Sequence, residues 1–90
     1  MPRVFRKDPS DKEDYEILWA DWLGTDTITA SIWDVPAGIT KVDDDFTTTS
    51  TTITLSGGDL GQDYVITNHI TTAAGREKDR TNTWKIRAKL

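Results

Sequence analysis

The last eight residues alternate without a break: Trp84, Ile86, Ala88 and Leu90 fall on one side of an extended chain, and Thr83, Lys85, Arg87 and Lys89 on the other. A period of two, not 3.6, marks a strand with one face buried. The same rhythm runs through residues 51–55, where Ile53 and Leu55 oppose Thr52 and Thr54. In residues 64–71 it puts Tyr64, Ile66, Asn68 and Ile70 on one face and His69 on the other. Residues 15–19 and 27–35 read as strands too, the latter with Ile28, Ala30 and Ile32 on one face and Thr29, Ser31, Trp33 and Val35 opposite. Residues 39–42 add a short one, ending at an acidic corner, Asp43-Asp44-Asp45. Turn chemistry separates them: residues 21–26 as a turn with an apolar plug, Pro36-Ala37-Gly38, Ser56-Gly57-Gly58-Asp59, and a hairpin tip at 72–76. Fifteen threonines among 90 residues fit the pleated surface of a strand, and no segment carries a helical period. The expected fold is all-β: an immunoglobulin-like sandwich of about seven strands.

That architecture leaves little chemistry. Ninety residues support one core, and the longest apolar stretch, Ile17-Leu18-Trp19-Ala20, is far short of a membrane span. Met1-Pro2-Arg3 leads into charge, unlike a secretory signal. With no cysteine there is no disulfide, thiolate or thiolate-bound metal. Asp43-Asp44-Asp45 is too local to supply the six to eight converging oxygens of a calcium site and reads as a solvated turn. His69 has no nucleophile or carboxylate beside it in sequence, and the glycines at 57, 58 and 61 lack the lysine and helix of a phosphate loop. The expectation is therefore no catalytic residue, no metal and no cofactor. Tyr64, near the start of a late strand, matches the tyrosine of immunoglobulin-like folds that hydrogen-bonds back to the backbone just upstream.

Charge is unevenly spread. Residues 1–14 hold four bases and four acids, residues 15–74 one base and nine acids, and residues 75–90 six bases and two acids. An acidic body with a basic last strand does not suit a nucleic-acid binder, which needs a broad basic face. Complementary charge on a small module suits protein docking. Residues 1–14 are too polar to order alone and read as an N-terminal arm, with residues 15–90 as the sandwich. The arm's anchors on a partner are Val4 and Phe5; its removal is expected to leave the sandwich folded. Among the four tryptophans, Trp84 belongs to the core, Trp19 and Trp33 to the core or a sheet face, and Trp22 to a loop. Trp22 is the candidate interface aromatic, and Lys85, Arg87 and Lys89 the candidate docking stripe.

Several motifs, in order and at similar spacing across nearly the whole chain, carry a family resemblance. They are Lys7-Asp8-Pro9 with Asp14-Tyr15, Asp21-Trp22-Leu23 before Asp26-Thr27-Ile28, and Trp33-Asp34-Val35-Pro36-Ala37-Gly38-Ile39. Leu55-Ser56-Gly57-Gly58, Gly61-Gln62-Asp63-Tyr64 and Thr71-Thr72-Ala73-Ala74-Gly75-Arg76 complete the set. The chain resembles small tailed-bacteriophage virion proteins with an immunoglobulin-like fold, described as fibre–tail adaptors or head-associated proteins. The resemblance implies a non-enzymatic structural protein of the virion, made in the host bacterial cytoplasm. It implies docking on capsid, tail or fibre proteins, with oligomers on the particle left open. The charge layout and the short apolar stretches lead to the expectation of no nucleic-acid and no membrane partner. The charged run 76–82 departs from the family pattern. The alternative is a carbohydrate-binding or adhesive immunoglobulin-like module using Trp22 or another exposed aromatic as its platform.

Overall fold

A computed structural model describes residues 3–88. Its elements are β1 (Val4–Lys7), β2 (Glu13–Leu18), α1 (Ala20–Leu23), β3 (Ile28–Asp34), β4 (Ile39–Phe46), β5 (Ser50–Gly57), β6 (Asp63–Thr72) and β7 (Glu77–Ile86). The strands form a four-stranded sheet, β1-β7-β6-β3, and a three-stranded sheet, β2-β5-β4. The groupings β2-β5-β4 and β3-β6-β7 are those of an immunoglobulin constant-type sandwich, with β1 moved to the opposite sheet. There β1 runs parallel to β7, with Val4 opposite Thr83 and Arg6 opposite Lys85. The expected all-β sandwich of about seven strands is what the chain forms.

The alternating patterns of β5, β6 and β7 each bury one of their two rows. Ile53, Leu55, Ile66, Ile70, Trp84 and Ile86 are fully enclosed between the sheets. At the tyrosine corner, the Asp59 N–H donates to Tyr64 Oη at 3.0 Å. Gly38 makes room for that ring: at φ 101° it accepts no ordinary side chain, and a Cβ there would meet Tyr64 Oη at 2.9 Å. Antibody domains place a cysteine two residues after this tyrosine; here that position is Ile66, buried in the apolar core. A buried polar chain also links the sheets. Trp19 Nε1 donates to Thr51 Oγ1 (3.1 Å), which donates to Asn68 Oδ1 (2.7 Å). Asn68 Nδ2 then reaches Ser31 Oγ (2.9 Å) and the Ile32 carbonyl (3.1 Å).

Three expectations are corrected, and one stretch that the pattern left unassigned joins a strand. Ile28, Ala30 and Ile32 do not share a face, because a bulge at Thr29 shifts the register against β6 between Ile28 and Ala30. Ile28 and Trp33 are buried, whereas Ala30 and Ile32 are exposed. Asp43-Asp44-Asp45 is not a turn but the second half of β4, after another bulge at Val42. Residues 21–26 include the last three residues of α1, a single helical turn that buries Leu23. The charged residues 77–82 are the first part of β7, paired with β6 from Glu77 opposite Thr71 to Asn82 opposite Ile66.

The N-terminal segment is tied into the sandwich. Phe5, facing inward from β1, stacks on Trp84 (centroids 4.7 Å apart, planes at 22°). It also meets Tyr15 of the other sheet edge-on at 5.2 Å. Lys7, only 2% exposed, donates from Nζ to the Gly57 carbonyl (2.6 Å) and the Asp8 carbonyl (2.9 Å). Burial lowers its pKa, against the pull of nearby Asp11, Asp8 and Glu13. Two of the arm's apolar and basic side chains thus serve the core of the sandwich.

Candidate docking faces

With the inner faces filled, strand parity decides what each sheet shows to solvent. On the four-stranded sheet the outward residues form rows across the strands. Arg6, Lys85 and Asp63 make one row; Val4, Thr83 and Val65 make the next. Thr81, Thr67 and Asp34 follow, then Asp79, His69 and Ile32, then Glu77, Thr71 and Ala30. Val4, Val65 and Ile32, at 60%, 56% and 64% exposure, put three of the chain's prominent exposed apolar side chains on this one face.

The two ends of the face differ in sign. At one end Arg87 Nη2 donates to Asp63 Oδ1 (3.0 Å), beside Arg6 and Lys85. At the other, His69 Nε2 is 2.8 Å from Glu77 Oε1 and its Nδ1 lies against Asp79. Hydrogen bonds to Asp79, and then to Glu77, raise the histidine's pKa above its ordinary 6.5. The run Glu77-Lys78-Asp79-Arg80 sorts its charges by parity. Its acids stand on this face, while Arg80 turns inward, its guanidinium 4.2 Å from the Trp19 ring centre and its Nη1 on the Leu18 carbonyl.

The outer face of the three-stranded sheet is of another kind. Asp14, Thr54 and Asp43 share a row, and Glu16, Thr52 and Asp45 the next. Asp14, Asp43, Asp44 and Asp45 line a shallow concavity with Thr52 and Thr54. Thr54 Oγ1 donates to Asp14, and Lys41 pairs with Asp44. Among the described residues, no group of His, Asp or Glu is arranged to hold a metal ion.

Of the residues singled out from the sequence, Val4, Lys85 and Arg87 come together at the basic end of the four-stranded face. Phe5 turns into the core, and Lys89 lies outside the described residues. Trp22 sits apart from them, half-buried on α1, edge-on to Trp19 at 5.9 Å. The Arg76 guanidinium lies 4.3 Å from its ring centre. Arg76 is held there by Asp26 (Nε to Oδ2, 3.0 Å) and the Leu23 carbonyl (Nη2, 2.9 Å). The Thr72 hydroxyl, the Thr27 and Ala74 amides and Arg76 hold the Asp26 carboxyl down to about 2. Arg6, Val65, Asp34, Glu77 and Asp79 escaped the sequence reading. They come from four strands, and only register makes them neighbours.

The family model described as podophage GP4 fiber-tail adaptor protein gp77 matches residues 7–85. The chain belongs to this family. The match runs from the buried Lys7 to Lys85, across β2 to β6 and nearly all of β7. No curated protein matches the chain. As a member of the gp77 fibre–tail adaptor family it is a structural protein of the phage virion. The resemblance drawn from its motifs is thereby established at the level of the family.

Proposed function

We propose that the chain is a non-enzymatic adaptor that docks between tail and fibre proteins of a podophage particle. The observation that carries this reading is the family match over residues 7–85. The surface supports it: an adaptor meets two unlike neighbours, and the sandwich offers two unlike broad faces, one acidic and threonine-rich, the other apolar at its centre. The carbohydrate-binding alternative finds no support in Trp22, whose ring is stacked against Arg76. Quantitative mass spectrometry of purified virions tests the proposal. A copy number matching a few tail or fibre positions is the expected result. A ratio near one per major capsid protein makes the chain a head decoration protein instead, and absence from the particle defeats the structural reading. Reversing Lys85, Arg87 and Lys89 to glutamate lowers incorporation while the isolated chain stays folded; unchanged incorporation would mean that this stripe is merely solvated.

A further inference from the structure

The two sheets end in four edge strands, β1 and β3 in one and β2 and β4 in the other. An edge strand leaves a row of backbone N–H and C=O groups unpaired, and proteins blunt such rows with charge, bulges or brevity. Three of the four are blunted in this way. β2 carries Glu13, Asp14 and Glu16. β4 is interrupted by its bulge and carries Lys41 and Asp43-Asp44-Asp45. β1 is four residues long and holds Arg6 and Lys7. β3 is different: past the bulge at Thr29 it runs Ala30-Ser31-Ile32-Trp33-Asp34 in unbroken register with β6, with no proline and no charge before Asp34. Ile32 stands 64% exposed in this stretch.

A second observation falls on the same strand. Trp33 is 7% exposed, and its enclosed indole Nε1 finds no acceptor among the described residues, a costly state for a buried donor. Asn68, opposite Trp33 on β6, already gives its Oδ1 to Thr51. Side chains directly opposite on paired strands lie about 5 Å apart on one face, so a strand added along the free edge of β3 brings a side chain of its own beside the indole. We infer that the edge of β3 over residues 30–34 takes an extended segment of the fibre protein as a fifth strand of this sheet. Main-chain hydrogen bonds then hold the segment, and its alternate side chains select it.

The edge states the chemistry of its occupant. Asp34 is exposed and makes no ion pair among the described residues, and the next two rows of this face end in Asp79 and Glu77. A basic side chain therefore belongs beside Asp34 and an apolar one beside Ile32, since opposite charges and apolar pairs across strands attract. On the inner face an acceptor (Asn, Gln, Ser or Thr) belongs beside Trp33. A second copy of β3 suits the edge poorly, because it brings another Asp34 and no base. Five residues of strand reach only about 17 Å, which suits the chain end of a slender fibre better than the broad surface of a tail. The inference rests on the adaptor reading, which supplies the fibre as partner.

Hydrogen–deuterium exchange read by mass spectrometry, on the purified chain and on purified virions, tests for the added strand. Amides of residues 30–34 should exchange about tenfold or more slowly in the particle. Photo-crosslinking in virions from p-benzoylphenylalanine in place of the exposed Ala30 should then join the chain to a single segment of the fibre protein. Ile32→Lys with Asp34→Lys, both at exposed positions, should leave the Tm of the purified chain unchanged and strip fibres from the particles. If that pair fails to fold, Asp34→Asn alone should lower the number of fibres at unchanged Tm. Residues 30–34 that exchange in the particle as they do in solution, a crosslink to a tail protein or to a second copy, or fibres retained on the variant particles overturn strand addition and leave the adaptor reading standing. Absence of the chain from particles defeats the adaptor reading, and the inference with it.

Discussion

Replacing Phe5 by alanine tests whether the N-terminal segment belongs to the core. The ring is half-buried, stacked at 4.7 Å on Trp84 and edge-on at 5.2 Å to Tyr15. Emptying a fully buried phenylalanine site costs about 3–5 kcal/mol. Half that burial, with two aromatic contacts surrendered, puts Phe5→Ala at about 2 kcal/mol. For a chain of 90 residues the urea slope is about 1 kcal/mol per M, so the unfolding midpoint should fall by about 2 M. Urea titrations followed by far-ultraviolet circular dichroism measure this, with Val4→Ala as the control. Val4 is 60% exposed, and its truncation should move stability by less than about 0.5 kcal/mol. Equal midpoints for Phe5→Ala and the parent would refute the argument. Strand β1 would then be an arm resting on a sandwich that does not need it, as composition alone suggests. By the same logic, deleting residues 1–14 should destabilise the sandwich rather than leave it intact, since Phe5 and the buried Lys7 leave with them.

Two further changes probe the ends of the molecule. Tyr64→Phe removes the acceptor of the Asp59 amide and should cost about 1 kcal/mol, a fall of roughly 4–8 °C in Tm for a domain of this size; an unchanged Tm would show that the corner is held by packing alone. The Asp26 carboxyl, held down to about 2 from an ordinary 3.8, contributes stability that is complete above its unfolded value and is lost as the pH falls toward 2. Thermal melts from about pH 5 to about pH 2 should therefore fall more steeply for the parent than for Asp26→Asn, and parallel curves would remove Asp26 from the acid response.

Much of the fold was legible because the alternation of residues 51–55, 64–71 and 83–86 needs no partner to be read: each apolar row states that one face is covered. Tyr64 was legible for a local reason, since the backbone it contacts lies only five residues upstream. The bulges at Thr29 and Val42 were not, because one extra residue in a strand is recognised only against the strand it pairs with, and both invert the faces that follow. Residues 77–82 escaped because their charges mask the alternation, although acids and bases take opposite faces.

The candidate docking face divides along the same line. Lys85 and Arg87 were found because their stripe is continuous in sequence; Arg6, Val65 and Asp34 were not, because they join it from three other strands. Sequence alone determined an all-β chain, its buried rows, its lack of thiol chemistry and its family, since period, composition and motif order are local properties of the chain. Only the tertiary structure decided that β1 crosses to pair with β7, that Phe5 and Lys7 are buried, that Trp22 is stacked with Arg76, and that one face ends in opposite charges. Those depend on register and on which sheet a strand joins, and both are settled by long-range hydrogen bonds and side-chain packing that no single segment encodes.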